Sequence, residues 1–223
     1  MNTELTELVF ILDRSGSMGG LESDTIGGFN SMIARQKKEK SRINVTTILF
    51  DDEVDMIHDR FPIDMVEPLT EKEYFVRGCT ALFDAVGIGI EKLDRVQRHL
   101  PEKYRAGKVI FVITTDGLEN SSTHYTQSQI RKMIEAKKEC GWEFLFLGAN
   151  IDAGREAEKI GISRNRSVTY KNDPEGIATN FRAVGRALSK ATACENPDTL
   201  FADDWADEIA DYRENVNKGK GDR

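Results

Sequence analysis

The 223-residue sequence predicts an α/β sandwich: a mostly parallel sheet with one antiparallel edge strand, covered by helices. Three observations carry that expectation. Leu8–Asp13, Lys108–Thr115 and Glu143–Gly148 are nearly continuous apolar runs, the pattern of central parallel strands covered on both faces. The stretches between them repeat apolar residues at helical spacing. Phe50 and Val54 are separated only by Asp51-Asp52-Glu53, too little chain for a crossover. The flanking strands must then pair as a hairpin, and such an antiparallel strand belongs at a sheet edge.

The elements follow in order. After Leu8–Asp13, Ile26, Phe29 and Ile33 fall at i, i+3, i+7 and mark the first helix. Ile43–Phe50 and Val54–His58 form the hairpin. Val86, Ile90 and Leu93 at i, i+4, i+7 mark the helix that leads to Lys108–Thr115. Thr126 and Gln129 form a capping-box signature ahead of Ile130, Met133 and Ile134. Glu143–Gly148 comes next, and Ser167–Tyr170 is the weakest strand candidate. Asp173-Pro174 reads as an N-cap and a first-turn proline for a helix carrying Ile177, Phe181, Val184 and Leu188 on one stripe.

These elements make one expected domain, residues 1–192. Beyond it, Asp198 to Asp211 holds six carboxylates and no basic residue, and Phe201, Trp205, Ile209 and Tyr212 fall at i, i+4, i+8, i+11. That pattern predicts an acidic amphipathic helix within residues 193–223, docked on its own domain or presented to a partner. Arg213 to Arg223 is basic and Gly-rich and is expected to be a disordered tail.

Composition narrows the function classes. With 31 Lys+Arg against 38 Asp+Glu the net charge is −7, which argues against a nucleic-acid or anionic-membrane binder. No apolar run approaches the ~18 residues of a membrane span. The first residues carry Glu4 and Glu7 and no basic segment, so no secretory signal is expected. Cys79, Cys140 and Cys194 are odd in number, widely spaced and without a CxxC, so neither a disulfide framework nor a zinc site follows. The expected location is a reducing compartment, the cytoplasm.

The chemistry gathers where two strands end. The first strand releases Asp13-Arg14-Ser15-Gly16-Ser17-Met18-Gly19-Gly20, one carboxylate and two hydroxyls in a Gly-rich turn. The strand at Lys108 ends in Thr114-Thr115-Asp116-Gly117, and Thr80 opens the helix that leads back to it. A parallel α/β sheet brings all three places to its carboxyl edge, where ligands bind. Oxygen donors without thiolate or imidazole select a hard cation such as Mg²⁺ or Ca²⁺.

Asp13-x-Ser15-x-Ser17, then Thr80, then Asp116 after an apolar strand resembles the metal-ion-dependent adhesion site of von Willebrand factor A domains, with all five motif positions filled. The resemblance covers about residues 5 to 192 and is closest to small intracellular bacterial or phage members. It implies a Rossmann-like three-layer sandwich whose six-stranded sheet has one antiparallel edge strand. It implies that Ser15, Ser17 and Thr80 touch the metal, with Asp13 and Asp116 acting mostly through water. It also implies Mg²⁺ as the cofactor, with Ca²⁺ or Mn²⁺ as substitutes, and a protein partner that supplies an Asp or Glu carboxylate. No nucleophile–base pair is apparent, so the implied function is binding and not catalysis.

Other readings of the same residues stay open. Asp13 and Ser15 fit helix caps, and Asp116-Gly117 fits an ordinary turn. Arg14 and Arg77 flank the site and are either ion-paired or readers of an anionic ligand. Asp51, Asp52 and Glu53 read as a solvated turn, with a second cation site as the alternative. Cys79 reads as a loop thiol, and His58, His99 and His124 as surface or turn residues. A Mg²⁺-dependent hydrolase or phosphoesterase of unrecognised type and a metal-stabilised structural scaffold are the competing functions.

Overall fold

The computed structural model describes residues 2–194, 201 and 204–221. Six strands form one sheet: β1 (Asn2–Asp13), β2 (Arg42–Phe50), β3 (Val54–Pro62), β4 (Ala106–Thr115), β5 (Trp142–Ala149) and β6 (Ser167–Tyr170). Their order is β3-β2-β1-β4-β5-β6, and only the β2–β3 pair is antiparallel. The three residues between Phe50 and Val54 therefore do what their number requires: they reverse the chain and leave β3 at the edge.

Helices cover both faces. Along β1, Leu8, Phe10 and Leu12 face one side and Val9 and Ile11 the other, the period-2 alternation of a strand buried twice. The first side packs α1 (Glu22–Lys38) and α5 (Pro174–Ala193). The second packs α2 (Leu82–His99), α3 (Gln127–Lys138) and the short α4 (Ala153–Lys159). On this second side Phe111 stacks against Trp142 and Phe144, with ring centroids 5.7 and 5.0 Å away. Such aromatic pairs add about 0.5–1.5 kcal/mol each beyond their buried area. The expected caps form as written: Thr126 and Gln129 close a capping box on α3, and Asp173 accepts the Gly176 N–H ahead of Pro174 on α5.

Sheet order fixes where a ligand can sit. The chain leaves β1 toward β2 on one side, and β4 joins β1 on the other, so the crossovers diverge between β1 and β4. Divergence at the carboxyl ends opens a crevice there. Asp13 closes β1, and Asp116 directly follows β4, so both stand at that crevice.

The C-terminal segment differs from the expected single stripe. Helix α6 (Asp207–Gly221) starts later than the pattern from Asp198 suggests, and Phe201 and Trp205 are buried ahead of it. The Trp205 indole N–H donates to the Asn165 carbonyl at 2.9 Å, which holds that residue in a turn. Helical bonding begins only where the Ala206 carbonyl accepts from Ile209 and Ala210. Ile209 is buried, and Tyr212 is half-buried with its hydroxyl donating to Asp173 Oδ1 at 3.1 Å. The stretch from Arg213, expected as a tail, continues α6 to Gly221, and Glu214 and Lys218 pair across one turn at 3.6 Å. Residues 195–200, 202–203 and 222–223 of the predicted appendage lie outside the described residues.

Candidate metal centre

The Asp13 loop is built by local hydrogen bonding. Asp13 Oδ1 accepts the Ser15 N–H at 2.7 Å, which folds the chain tightly after β1. Asp13 Oδ2 accepts the Thr115 hydroxyl at 2.6 Å, tying the end of β1 to the end of β4. The Tyr74 hydroxyl donates to the Asp13 carbonyl at 2.5 Å. Ser15 Oγ and Ser17 Oγ stand 3.1 Å apart, and Ser17 Oγ donates to Asp116 Oδ1 at 2.5 Å. Asp116 Oδ2 accepts from Asn172 Nδ2 at 3.1 Å. The side chains of Ser15, Ser17 and Asp116 are thereby linked, and Asp13 joins them through the Ser15 backbone N–H.

Thr80 arrives on a loop clamped from both sides. The Gly16 N–H donates to the Gly78 carbonyl at 3.2 Å, the Arg77 N–H to the Arg14 carbonyl at 3.1 Å, and the Ala81 N–H to the Asp51 carbonyl at 2.7 Å. The Thr80 N–H donates to Asn120 Oδ1 at 2.9 Å, and the Thr80 carbonyl accepts from Asn120 and Ser121. Gly78 has φ +64°, and a Cβ there would collide with Asp52 Oδ1, so the turn before Thr80 requires glycine. A Cβ on Gly117 would stand 3.6 Å from Thr80 Oγ1 and 3.7 Å from Ser17 Oγ. The two hydroxyls thus border a common space that glycine leaves open.

The five side chains offer two carboxylates and three hydroxyls, all oxygen, a set that suits a hard divalent cation. Among the described residues no three His, Cys, Asp or Glu side chains cluster as metal ligands, so a cation held here would need the hydroxyls to complete its set. Burial pushes both carboxyl groups above their ordinary range. For Asp13, hydrogen bonds from Thr115 and Ser15 work against that rise and the neighbouring Asp116 charge adds to it. For Asp116, Ser17 and Asn172 oppose it. Among the described residues no cation pairs with either carboxylate.

Arg14 and Arg77 are engaged elsewhere. Arg14 is 1% exposed; its Nε donates to Asp51 at 2.8 Å, its Nη2 to Asp55 at 2.5 Å, and its Nη1 to the Glu73 carbonyl at 3.2 Å. Arg77 pairs with Asp51 at 2.8 Å and with Glu53 at 2.6 Å. Asp51 is therefore no solvated turn residue: it is 0% exposed, paired twice, and also caps the turn through the Glu53 N–H at 2.7 Å. Burial opposes its charge, yet Arg77, the Glu53 N–H and Arg14 outweigh burial and hold its carboxyl below the ordinary range. His58 is likewise no surface residue; it is buried on β3 with Nδ1 3.0 Å from Thr47 Oγ1. Cys79 is an exposed free thiol.

Three residues of the centre escape a reading by motif. Thr115, in the strand-end run Thr114-Thr115-Asp116, is the direct hydroxyl partner of the Asp13 carboxylate. Asn120 and Asn172 hold Thr80 and Asp116 from loops. The signal available for Asn172 was its place just beyond a strand's carboxyl end, beside an N-cap.

No protein-family model and no curated protein matches the chain. Solved structures do. The vWF domain of the type V pili tip protein Mfa5 from Porphyromonas gingivalis aligns with TM-score 0.60 at 11% identity, over 84% of this chain and 96% of that one. Proximal thread matrix protein 1 from the mussel byssus, with a zinc-occupied MIDAS motif, aligns with TM-score 0.55 at 14% identity, over 84% and 46%. A von Willebrand factor type A structure from Catenulispora acidiphila gives TM-score 0.54 at 16% identity, over 84% and 43%. The chain spans about half the length of the mussel protein's structure. With its six-stranded sheet, single antiparallel edge strand and flanking helices, the chain has the fold of a von Willebrand factor type A domain.

Proposed function

We propose that the chain is a divalent-metal-dependent protein-binding module. Asp13, Ser15, Ser17, Thr80 and Asp116 would hold the ion, with Mg²⁺ assigned and Ca²⁺ or Mn²⁺ admitted by the same donors. The observation that carries this reading is a pair of buried carboxylates, each held by a hydroxyl, for which no described residue provides a counter-charge. Buried like charges that lack a partner are costly, and a cation from solution removes that cost.

A bound divalent cation supplies Lewis acidity and an open coordination position. The chain's residues supply the rest. Two carboxylates balance the charge, and three neutral hydroxyls leave the ion's electrophilic character largely undamped. The ligand best matched is a carboxylate from an Asp or Glu side chain of a protein partner. The pilus and byssus neighbours support a protein-interaction role at the level of fold. A hydrolase gains no such support. Among the described residues His58 bonds to Thr47, His99 to the Arg95 carbonyl and His124 to Asp84, so none stands as a base beside Ser15, Ser17 or Cys79. The net charge of −7 favours a partner that is neither nucleic acid nor an anionic membrane, and the exposed thiols of Cys79 and Cys140 suit a reducing cytoplasm. No helix among the described residues is long and apolar enough to cross a membrane.

Affinity capture with Mg²⁺ and with chelator, followed by identification of what is retained, tests the proposal. A partner held only with Mg²⁺ and released by Asp13→Ala or Thr80→Ala, with circular dichroism unchanged, supports it. Retention indifferent to both substitutions overturns the adhesion role.

A further inference from the structure

A second polar hollow lies beside the metal centre, at the ends of β5 and β6 and against α6. Its volume is about 560 Å³. Arg213 and Asn217, one helical turn apart on α6, form one wall; Asn150, Lys171 and Asn172 form the other. Neither the Lys171 ammonium nor the Arg213 guanidinium has a hydrogen bond or ion pair among the described residues, whereas Arg182 and Arg186 on α5 both pair with Glu208. The carboxylate in the lining, Asp152, accepts the Arg155 N–H at 3.1 Å as the cap of α4 and is not paired with either cation. The hollow therefore presents two uncommitted positive charges.

Asn172 belongs to both places. Its Nδ2 donates to Asp116, while its Oδ1 is buried and has no hydrogen-bond partner. Two free cations call for a carboxylate, and a buried amide oxygen calls for an N–H donor. A small dicarboxylate satisfies only the first demand. A peptide satisfies both. In an extended segment alternate side chains project to one side about 7 Å apart, with a backbone N–H between them.

We infer that the hollow is a second anchor for an acidic peptide segment of the partner. One carboxylate of the segment occupies the metal centre. The carboxylate two residues away enters between Lys171 and Arg213, and an intervening N–H meets Asn172 Oδ1. This inference rests on the metal-centred reading above.

The test uses the full chain, ¹⁵N-labelled, in Mg²⁺, titrated by NMR with three probes: acetyl-Gly-Glu-Gly-amide, acetyl-Glu-Gly-Glu-amide and glutarate. The two-Glu peptide is expected to bind about tenfold tighter than the single-Glu peptide, a gain of about 1.4 kcal/mol. It should shift the Asn172 side-chain amide and the Arg213 Nε–H. Lys171→Gln with Arg213→Gln should bring the two-Glu peptide down to the single-Glu level. A Mg²⁺-dependent single-Glu peptide with no two-Glu gain, or a gain that survives the double substitution, overturns the hollow and leaves the metal reading intact. A gain that depends on Lys171 and Arg213 but ignores both Mg²⁺ and Asp116→Asn overturns the metal reading and keeps the hollow as an anion site. Glutarate binding as tightly as the two-Glu peptide overturns the peptide assignment, as does a two-Glu peptide that shifts nothing.

Discussion

Asp51 and the pair Asp13 and Asp116 are acidic centres at the same edge of the sheet, and Arg14 adjoins Asp13 in sequence. All three carboxylates are 3% exposed or less. Asp51 receives two guanidinium groups and a backbone N–H, and its carboxyl is held below the ordinary range. Asp13 and Asp116 receive hydroxyls and amide N–H groups but no cation, and burial raises both. The arginine next to Asp13 turns to Asp51 instead. A buried acid that the chain compensates is a clamp; a buried pair that it leaves uncompensated is, on the function proposed here, a place for a cation from outside.

The largest expected effect is at the clamp. Arg14→Met strips one partner from a buried carboxylate and should cost about 3 kcal/mol, read as a lower urea midpoint. A loss under about 1 kcal/mol would mean that Arg77 alone suffices and the two centres differ less than the geometry says. Asp84 is an intermediate case. It accepts backbone N–H groups from Thr123, His124 and Tyr125 at 2.9 to 3.0 Å, which anchors the loop after β4 without any arginine. Asp84→Asn should cost about 1–3 kcal/mol, and an unchanged midpoint would show that the loop is fastened elsewhere.

The centres also respond to pH with opposite sign. Asp51 lies below its ordinary value of 3.8, so its stabilisation is present above pH 3.8 and disappears as pH falls through the folded value. Asp13 and Asp116 lie above 3.8, so in metal-free protein their contribution is fully present below pH 3.8 and is lost as pH rises through their folded values. Metal-free Asp116→Asn should therefore match wild type in acid and equal or exceed it at neutral pH. Urea melts across that range check the sign, and a variant less stable than metal-free wild type at neutral pH would break the contrast.

Much of this arrangement was legible in the sequence because it is local or periodic. Strand cores, the hairpin and both helix caps follow from patterns a few residues long. The oxygen donors stand at strand ends, where a parallel sheet must gather them. What escaped depends on partners far along the chain. β1 begins at Asn2, well before its apolar run, and Glu7 within it is buried because Arg60 meets it at 2.6 Å. Asn172 reaches Asp116 across 56 residues, and Arg14 reaches Asp51 across 37. Helix α4 has seven residues, too few for a period to register. Phe201 and Trp205 fit a helical stripe by spacing yet find their burial in turns, because the Asn165 carbonyl holds the indole.

Paired thermal melts of wild type and Asp116→Asn, each with and without Mg²⁺, test the central claim most directly. Binding to the native state adds RT ln(1 + [L]/Kd), so a tenfold excess over Kd stabilises wild type by about 1.4 kcal/mol, a rise of roughly 3–6 °C in Tm for a chain of this length. Asp116→Asn removes one buried charge while keeping the shape. It should melt at or above metal-free wild type and gain almost nothing from Mg²⁺. Equal Mg²⁺-induced shifts in the two proteins would show that the stabilisation is diffuse, and would contradict a metal centre built on Asp13, Ser15, Ser17, Thr80 and Asp116.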